Sequence, residues 1–151
     1  MKAGDPAPDF ELPDETGKNR SLKELLSSGP VVLFFYPAAM TPGCTAESCH
    51  FRDLAKEFAE VGASRVGISP DPVAKQHKFS EKHSFDFPLL SDPDGTVAQQ
   101  FGVRRGFGPL LTKRQTFVID TDGKIVEVIK SELRMSVHAD KALAVLRARK
   151  A

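Results

Sequence analysis

The chain contains no tryptophan and only two cysteines among 151 residues, so intrinsic tryptophan fluorescence cannot report on it. No apolar stretch approaches the length of a membrane span; the longest is Val31 to Tyr36. The first residues, Met1-Lys2-Ala3-Gly4-Asp5, lack the apolar segment of a secretory signal. Charge is also without excess: 21 Lys and Arg stand against 20 Asp and Glu, interspersed along the chain, for a formal +1. A nucleic-acid or membrane-surface binder would show a basic face or run. No internal repeat, low-complexity tract or linker interrupts the sequence, and the glycines between Gly102 and Gly108 complete no nucleotide motif. What remains is a chain long enough to bury a core as one domain, residues 1–151, without disulfide or metal staples. A cytoplasmic location is expected, and in that reducing compartment two cysteines read as reactive, metal-binding or merely buried.

Proline and glycine punctuate a series of short alternating elements. Asp9–Leu12 and Arg20–Leu22 flank a turn at Asp14-Glu15-Thr16-Gly17, and Ser21-Leu22-Lys23-Glu24 is a capping box opening a short helix. Val31–Tyr36 is a continuous β-branched and aromatic run, which predicts a strand covered on both faces. Thr41-Pro42 predicts a helix start, with the helix running to about Val61. A strand follows at Arg65–Ser69, and Asp71-Pro72 repeats the cap-plus-proline start for a helix to about His83. Pro88–Leu90 is a short extended piece, and Gly95–Phe101 a short helix. Gln115–Asp120 and Ile125–Ile129 form a hairpin around Thr121-Asp122-Gly123-Lys124, and His138–Arg149 is an amphipathic closing helix. This order predicts an α/β fold with a mixed central sheet flanked by helices, in a thioredoxin-like arrangement with additions at the front and in the middle.

Cys44 falls in the first turn of the helix that Thr41-Pro42 opens. Backbone N–H groups there lack intrahelical partners and the helix dipole favours negative charge, so a thiolate is favoured at such a position. Ionisation alone gains little, since an ordinary thiol at neutral pH is a few per cent ionised and full ionisation is worth about thirtyfold. The larger gain must act on a bound substrate. If that substrate is a peroxide, negative charge builds on the departing oxygen, where fixed N–H donors, a hydroxyl and a guanidinium would stabilise it. The Gly43 and Cys44 amides lie at the helix start, and Gly43 permits close approach to the backbone. Thr41 either directs its hydroxyl at the substrate or serves only as N-cap. Arg114, beside Lys113, reads by itself as a solvated charge.

The segment Pro37-Ala38-Ala39-Met40-Thr41-Pro42-Gly43-Cys44 resembles the peroxiredoxin signature: a proline, three residues, a threonine, two residues and the reactive cysteine. Thr41-Pro42-Gly43-Cys44-Thr45-Ala46-Glu47 is similar to the Q-type branch, also called bacterioferritin comigratory proteins, and Arg114–Asp120 to the later segment that carries that family's arginine. The resemblance spans roughly residues 3–146. It implies that Cys44 is the peroxidatic residue, that Thr41 and Arg114 bind and activate hydroperoxide, that Pro37 shields the thiolate and that Glu47 orients the arginine. It implies no cofactor, a thioredoxin or similar dithiol as reductant, and a monomer or weak homodimer. Two departures, Ala38-Ala39-Met40 in place of a more polar loop and Gln115 in place of a small hydroxyl residue, bear on substrate preference.

Cys49 stands five positions beyond Cys44. In an intact helix the two Cα atoms are about 8–9 Å apart and the side chains about 140° apart, whereas a disulfide needs Cα atoms within about 7 Å. In the resembled family this spacing marks the resolving cysteine, and the pair then joins only after local unwinding. Otherwise Cys49 is a spare helix cysteine. Other readings of the pair fit less well. A thioredoxin-like oxidoreductase would carry Cys-x-x-Cys, and a redox-sensing module would use the same thiols with little turnover. A zinc site is disfavoured because Cys44 and Cys49 point to different helix faces, as do His77 and His83. His50, His77, His83 and His138 are all expected to be solvated surface residues.

Overall fold

A computed structural model describes residues 1–104 and 112–150. β1 (Glu11–Pro13) pairs antiparallel with β2 (Asn19–Ser21). Their turn closes on the Asp14 carboxylate, which accepts from the Thr16 and Lys18 amides and the Thr16 hydroxyl. Ser21 then caps α1 (Leu22–Leu26), its side chain accepting from the Glu24 amide as the capping-box pattern requires.

The main sheet begins with β3 (Val31–Phe35), in which every residue is buried. After it come α2 (Pro42–Asp53), α3 (Ala55–Glu60), β4 (Ser64–Ser69), α4 (Val73–His83), β5 (Leu89–Ser91), α5 (Thr96–Gln100), β6 (Gln115–Ile119), β7 (Ile125–Lys130) and α6 (Met135–Lys150). The strand order is β5-β4-β3-β6-β7. β3, β4 and β5 run parallel, and β6 and β7 antiparallel to their neighbours, so the sheet is mixed. Alternation along β3 explains its apolar run. Val31, Leu33 and Phe35 join one core with Leu22 and Leu25 of α1 and Val97 of α5. Val32, Phe34 and the following Tyr36 join a second core with Phe51 of α2, Phe58 of α3, Phe79 of α4 and Leu143 of α6. Both faces are therefore covered, and a continuous hydrophobic strand is what such a position demands. Among the described residues no helix is long and apolar enough to cross a membrane.

Several element ends shift by one or two residues from the sequence expectation, and three differences bear on the site. The helix expected from Pro42 to Val61 breaks at Leu54 (φ −96°, ψ 19°). Arg65 of β4 donates from Nη1 to the Phe51 carbonyl (2.8 Å), so a side chain occupies an acceptor that a continuous helix would use internally. α4 starts one residue later than Asp71-Pro72 implies, with Pro72 at the N-cap, because the Asp71 carboxylate is engaged elsewhere. α6 begins at Met135, three residues before His138, which places His138 inside the helix.

Candidate active site

The loop between β3 and α2 is held from beneath by a buried polar chain. Tyr36 donates its hydroxyl to Gln76 Oε1 (2.6 Å), and Gln76 Nε2 donates to Ser69 Oγ (2.9 Å) and to the Leu90 carbonyl (2.8 Å). Ser69 donates in turn to Asp71 Oδ2 (2.7 Å), and the same oxygen accepts the Ala39 amide at 2.6 Å. Asp71 thus anchors the loop instead of capping α4. Pro37 is buried, whereas Met40 is 41% exposed with a φ of +69°, a left-handed conformation unusual for a non-glycine residue. Thr41 occupies the N-cap position in extended conformation, and its carbonyl accepts from the Thr45 amide. Its side chain makes no capping bond; the hydroxyl donates to the Ala38 carbonyl at 2.7 Å. The N-cap role expected for that side chain is therefore not the one it plays.

Cys44 sits in the first turn of α2 and is fully buried. Arg114, just before β6, donates from Nη2 to its sulfur at 3.1 Å and from Nη1 to Glu47 Oε1 at 2.6 Å. The guanidinium is only 6% exposed, so the solvated reading of this charge is corrected. A planar fork that serves both partners at once is a geometry lysine cannot supply. Gly43 is close beneath: a Cβ there would stand 3.4 Å from Arg114 Nη2 and 3.6 Å from Met135 Cε. Cys49, on the same unbroken helix, is partly buried, and both thiols are free. Burial raises the Cys49 thiol above its ordinary range, with Asp53 adding to the rise and Arg52 opposing it.

Behind the arginine Glu47 meets a residue that sequence reasoning missed, His138. Glu47 and His138 are both wholly buried, with Glu47 Oε2 3.6 Å from His138 Nδ1. The imidazole also meets Thr116 Oγ1 at Nδ1 (2.7 Å) and the Ser131 carbonyl at Nε2 (2.8 Å). His138 is thus no surface residue. A partial signal was available in Thr116, a lone polar residue ahead of Phe117-Val118-Ile119 in a buried strand. The other histidines lie nearer the surface: His50 contacts Asp140 (2.7 Å), His77 contacts Glu81 (3.0 Å), and the His83 ring packs against Phe79 and Phe85. Among the described residues no group of three His, Cys, Asp or Glu is placed to hold a metal ion. Residues 105–108 of the glycine-bearing segment between Gly102 and Gly108 lie outside the described residues.

Burial pushes the Glu47 carboxyl up to about 8, with the Arg114 charge and hydrogen bond opposing it. Burial likewise lowers His138, and Arg114 adds to that effect while the Ser131 bond opposes it. For Arg114 burial works against the charge, and Glu47 and Cys44 more than offset it, so its value is raised. The native state then holds a proton on Glu47 that the unfolded chain, at an ordinary 4.5, has released by neutral pH. The stabilisation this proton gives is complete below about pH 4.5 and is lost as pH rises through about 8. Urea unfolding of reduced protein between pH 5 and 8 should therefore show a falling contribution from Glu47 that Glu47→Gln removes. Equal slopes for the two proteins would mean that Glu47 is ionised in the native state.

A buried thiol at a helix start faces a guanidinium at the beginning of an inner strand of a mixed sheet with helices on both faces, which is the architecture of a cysteine-based redox enzyme of thioredoxin-like fold. Residues 3–128 match the AhpC/TSA family. Peroxiredoxin Bcp of Escherichia coli (strain K12) is 42% identical over 149 residues, covering 95% of this chain and 94% of that protein. The crystal structure of peroxidoxin BcpB from Mycobacterium tuberculosis superposes with a TM-score of 0.94 at 70% identity, covering 98% of this chain and 97% of that one. Structures of the Xanthomonas campestris bacterioferritin comigratory protein, described for alkyl peroxide reduction, give a TM-score of 0.86 at 33% identity, covering 94% and 92%. The chain belongs to the AhpC/TSA family, in its bacterioferritin comigratory or Q-type peroxiredoxin branch, and is a thiol peroxidase.

Proposed function

We propose that Cys44 reduces hydrogen peroxide and alkyl hydroperoxides, that Cys49 resolves the product as an intramolecular disulfide, and that a thioredoxin-type dithiol restores both thiols. The observation that carries this reading is the Arg114 Nη2 to Cys44 Sγ contact of 3.1 Å, braced through Nη1 by Glu47. The Cys44 thiolate attacks one peroxide oxygen; an S–O bond forms, the O–O bond breaks, and the departing oxygen takes a proton to leave as water or an alcohol. Arg114 supplies donors where negative charge develops on those oxygens. The Gly43 and Cys44 amides, in the turn where helical N–H groups lack internal partners, add to it. Thr41 orients the substrate from the loop, and Pro37 limits access of water to the sulfur.

Cys49 then attacks the Cys44 sulfenic sulfur. An S–S bond forms, hydroxide departs and is protonated to water, and Cys44 is spared further oxidation. The external dithiol is oxidised as it reduces this disulfide. Relief of the burial that raises the Cys49 thiol makes it a better nucleophile once α2 opens. Alkyl hydroperoxides are included because the Xanthomonas relative is described for their reduction and because the Ala38-Ala39-Met40 loop is apolar.

Reduced protein mixed with one equivalent of hydrogen peroxide, followed by mass, tests this directly. Cys44→Ser should abolish the fast reaction, while Cys49→Ser should react once and stop at the sulfenic acid. A wild-type rate no faster than that of a free thiol, with hydrogen peroxide and alkyl hydroperoxides alike, would reject the proposal.

A further inference from the structure

The buried cluster behind Arg114 contains more than the reading above uses. His138 Nε2 faces the Ser131 carbonyl at 2.8 Å, and a carbonyl only accepts, so Nε2 carries the ring proton. In the neutral ring Nδ1 is then an acceptor, filled by the Thr116 hydroxyl at 2.7 Å. The same nitrogen stands 3.6 Å from Glu47 Oε2, which is buried with no hydrogen-bond partner among the described residues. That distance is too long for a hydrogen bond but short enough for electrostatics to matter. An ionised Oε2 would face the Nδ1 lone pair and repel it; a protonated Oε2 would not.

We propose that His138 is a positioning residue of the peroxide site: its imidazole, wedged against Thr116 and Glu47, sets the place and charge of the carboxyl that holds Arg114 on the Cys44 sulfur. This rests on the reading of Cys44 and Arg114 given above. The groups facing the cluster are Arg114 and Thr116 from the β6 strand region, Cys44 from α2, and Ser131 and Glu132 from the turn after β7. Glu132 accepts the Arg114 backbone amide at 3.1 Å and raises the Glu47 carboxyl. While Glu47 stays neutral, the Arg114 charge is not offset and acts on the sulfur and the bound peroxide. When Glu47 ionises, its charge competes for the guanidinium. The peroxide step should therefore have an alkaline limb governed by Glu47, near pH 8.

The test uses single-turnover oxidation of reduced protein by hydrogen peroxide from pH 6 to 9.5, in wild type, His138→Leu, His138→Asn and Arg114→Leu. His138→Leu should lose about tenfold in rate, the size of loss that removing a group which positions a reactive one commonly brings, and its alkaline limb should move by about half a pH unit or more. His138→Asn, which keeps a polar group near the Nδ1 position, should recover most of the rate. Unchanged rates and limbs in both variants, or a slower rate with an unmoved limb, would overturn the proposal. If Arg114→Leu is also without effect, the underlying peroxide reading fails, and not only the role of His138. Should His138→Leu not fold, 15N spectra of wild-type reduced protein decide. A neutral Nε2–H ring whose Nδ1 signal responds to Glu47→Gln supports the pairing; a ring that titrates like a free histidine, blind to Glu47→Gln, overturns it.

Discussion

Replacing Arg114 with leucine should slow the reaction of reduced protein with hydrogen peroxide by about 100- to 1,000-fold, the usual cost of removing a donor aimed at developing negative charge. The guanidinium is the strongest donor at the sulfur, with Nη2 3.1 Å from Cys44 Sγ and the whole group 6% exposed. In so dry a setting it is screened little by solvent and need not reorganise as the O–O bond breaks. Leucine would leave Glu47 behind, but burial already favours the neutral carboxyl, so the fold should tolerate the change better than an orphaned anion would allow. Arg114→Lys should recover only part of the rate, since a single ammonium nitrogen lacks the planar fork that reaches Glu47 from Nη1 and the sulfur from Nη2. Stopped-flow measurement under single-turnover conditions checks this; a loss under tenfold for leucine would remove Arg114 from the transition state.

Oxidation to the Cys44–Cys49 disulfide should unwind the first two turns of α2 and leave its last turn in place. The helix Pro42–Asp53 is unbroken with both thiols free, and five helical positions hold the two cysteines too far apart to bond. The anchors of the helix fall on either side of Cys49. Before it, Cys44 and Glu47 share one partner, Arg114. After it, His50 meets Asp140, the Phe51 ring stacks on Phe34 at 4.2 Å, the Phe51 carbonyl takes Arg65, and Arg52 reaches the His83 carbonyl at 2.8 Å. Chemistry at Cys44 disturbs the first set and leaves the second alone. Hydrogen exchange on the oxidised protein should show amides 45–49 losing protection on the order of 100-fold, with those of Leu54 and Phe58, which bond to the His50 and Leu54 carbonyls beyond Cys49, little changed. A disulfide form in which α2 remains protected throughout would contradict both the expected unwinding and the resolving role of Cys49.

Much of the scaffold was legible because it depends on short-range pattern. The apolar run at Val31–Phe35 marked a strand covered on both faces, and Thr41-Pro42 marked the start of the helix that carries Cys44. Ser21 and Glu24 announced α1, and the Asp-Gly turn announced the β6–β7 hairpin. Each of these signals acts over two to four residues, within reach of one cap, one turn or one period. The resemblance of the Cys44 segment to a known signature also implied that Arg114 and Glu47 belong beside Cys44, and the fold brings the three side chains together.

Local pattern could not choose partners for polar side chains that reach across the molecule. Arg65 interrupts a helix that periodicity would continue to Val61, because β4 brings its guanidinium to the Phe51 carbonyl. Asp71 looked like a cap and instead anchors the Ala39 amide, 32 residues away. Thr41 turned its hydroxyl to Ala38. His138 looked like a surface residue at the start of a helix, until an earlier start and the packing of α6 against α2 and β6 buried it beside Glu47 and Thr116. The sequence by itself determined the succession of elements, a mixed sheet covered on both faces, and a cysteine in the first turn of a helix. Only the tertiary structure decided how the charges meet at that cysteine and what stands behind them: a buried polar group takes whatever partner spares it an unsatisfied bond, and that partner is set by packing, across 70 residues of chain for Arg114 and Cys44.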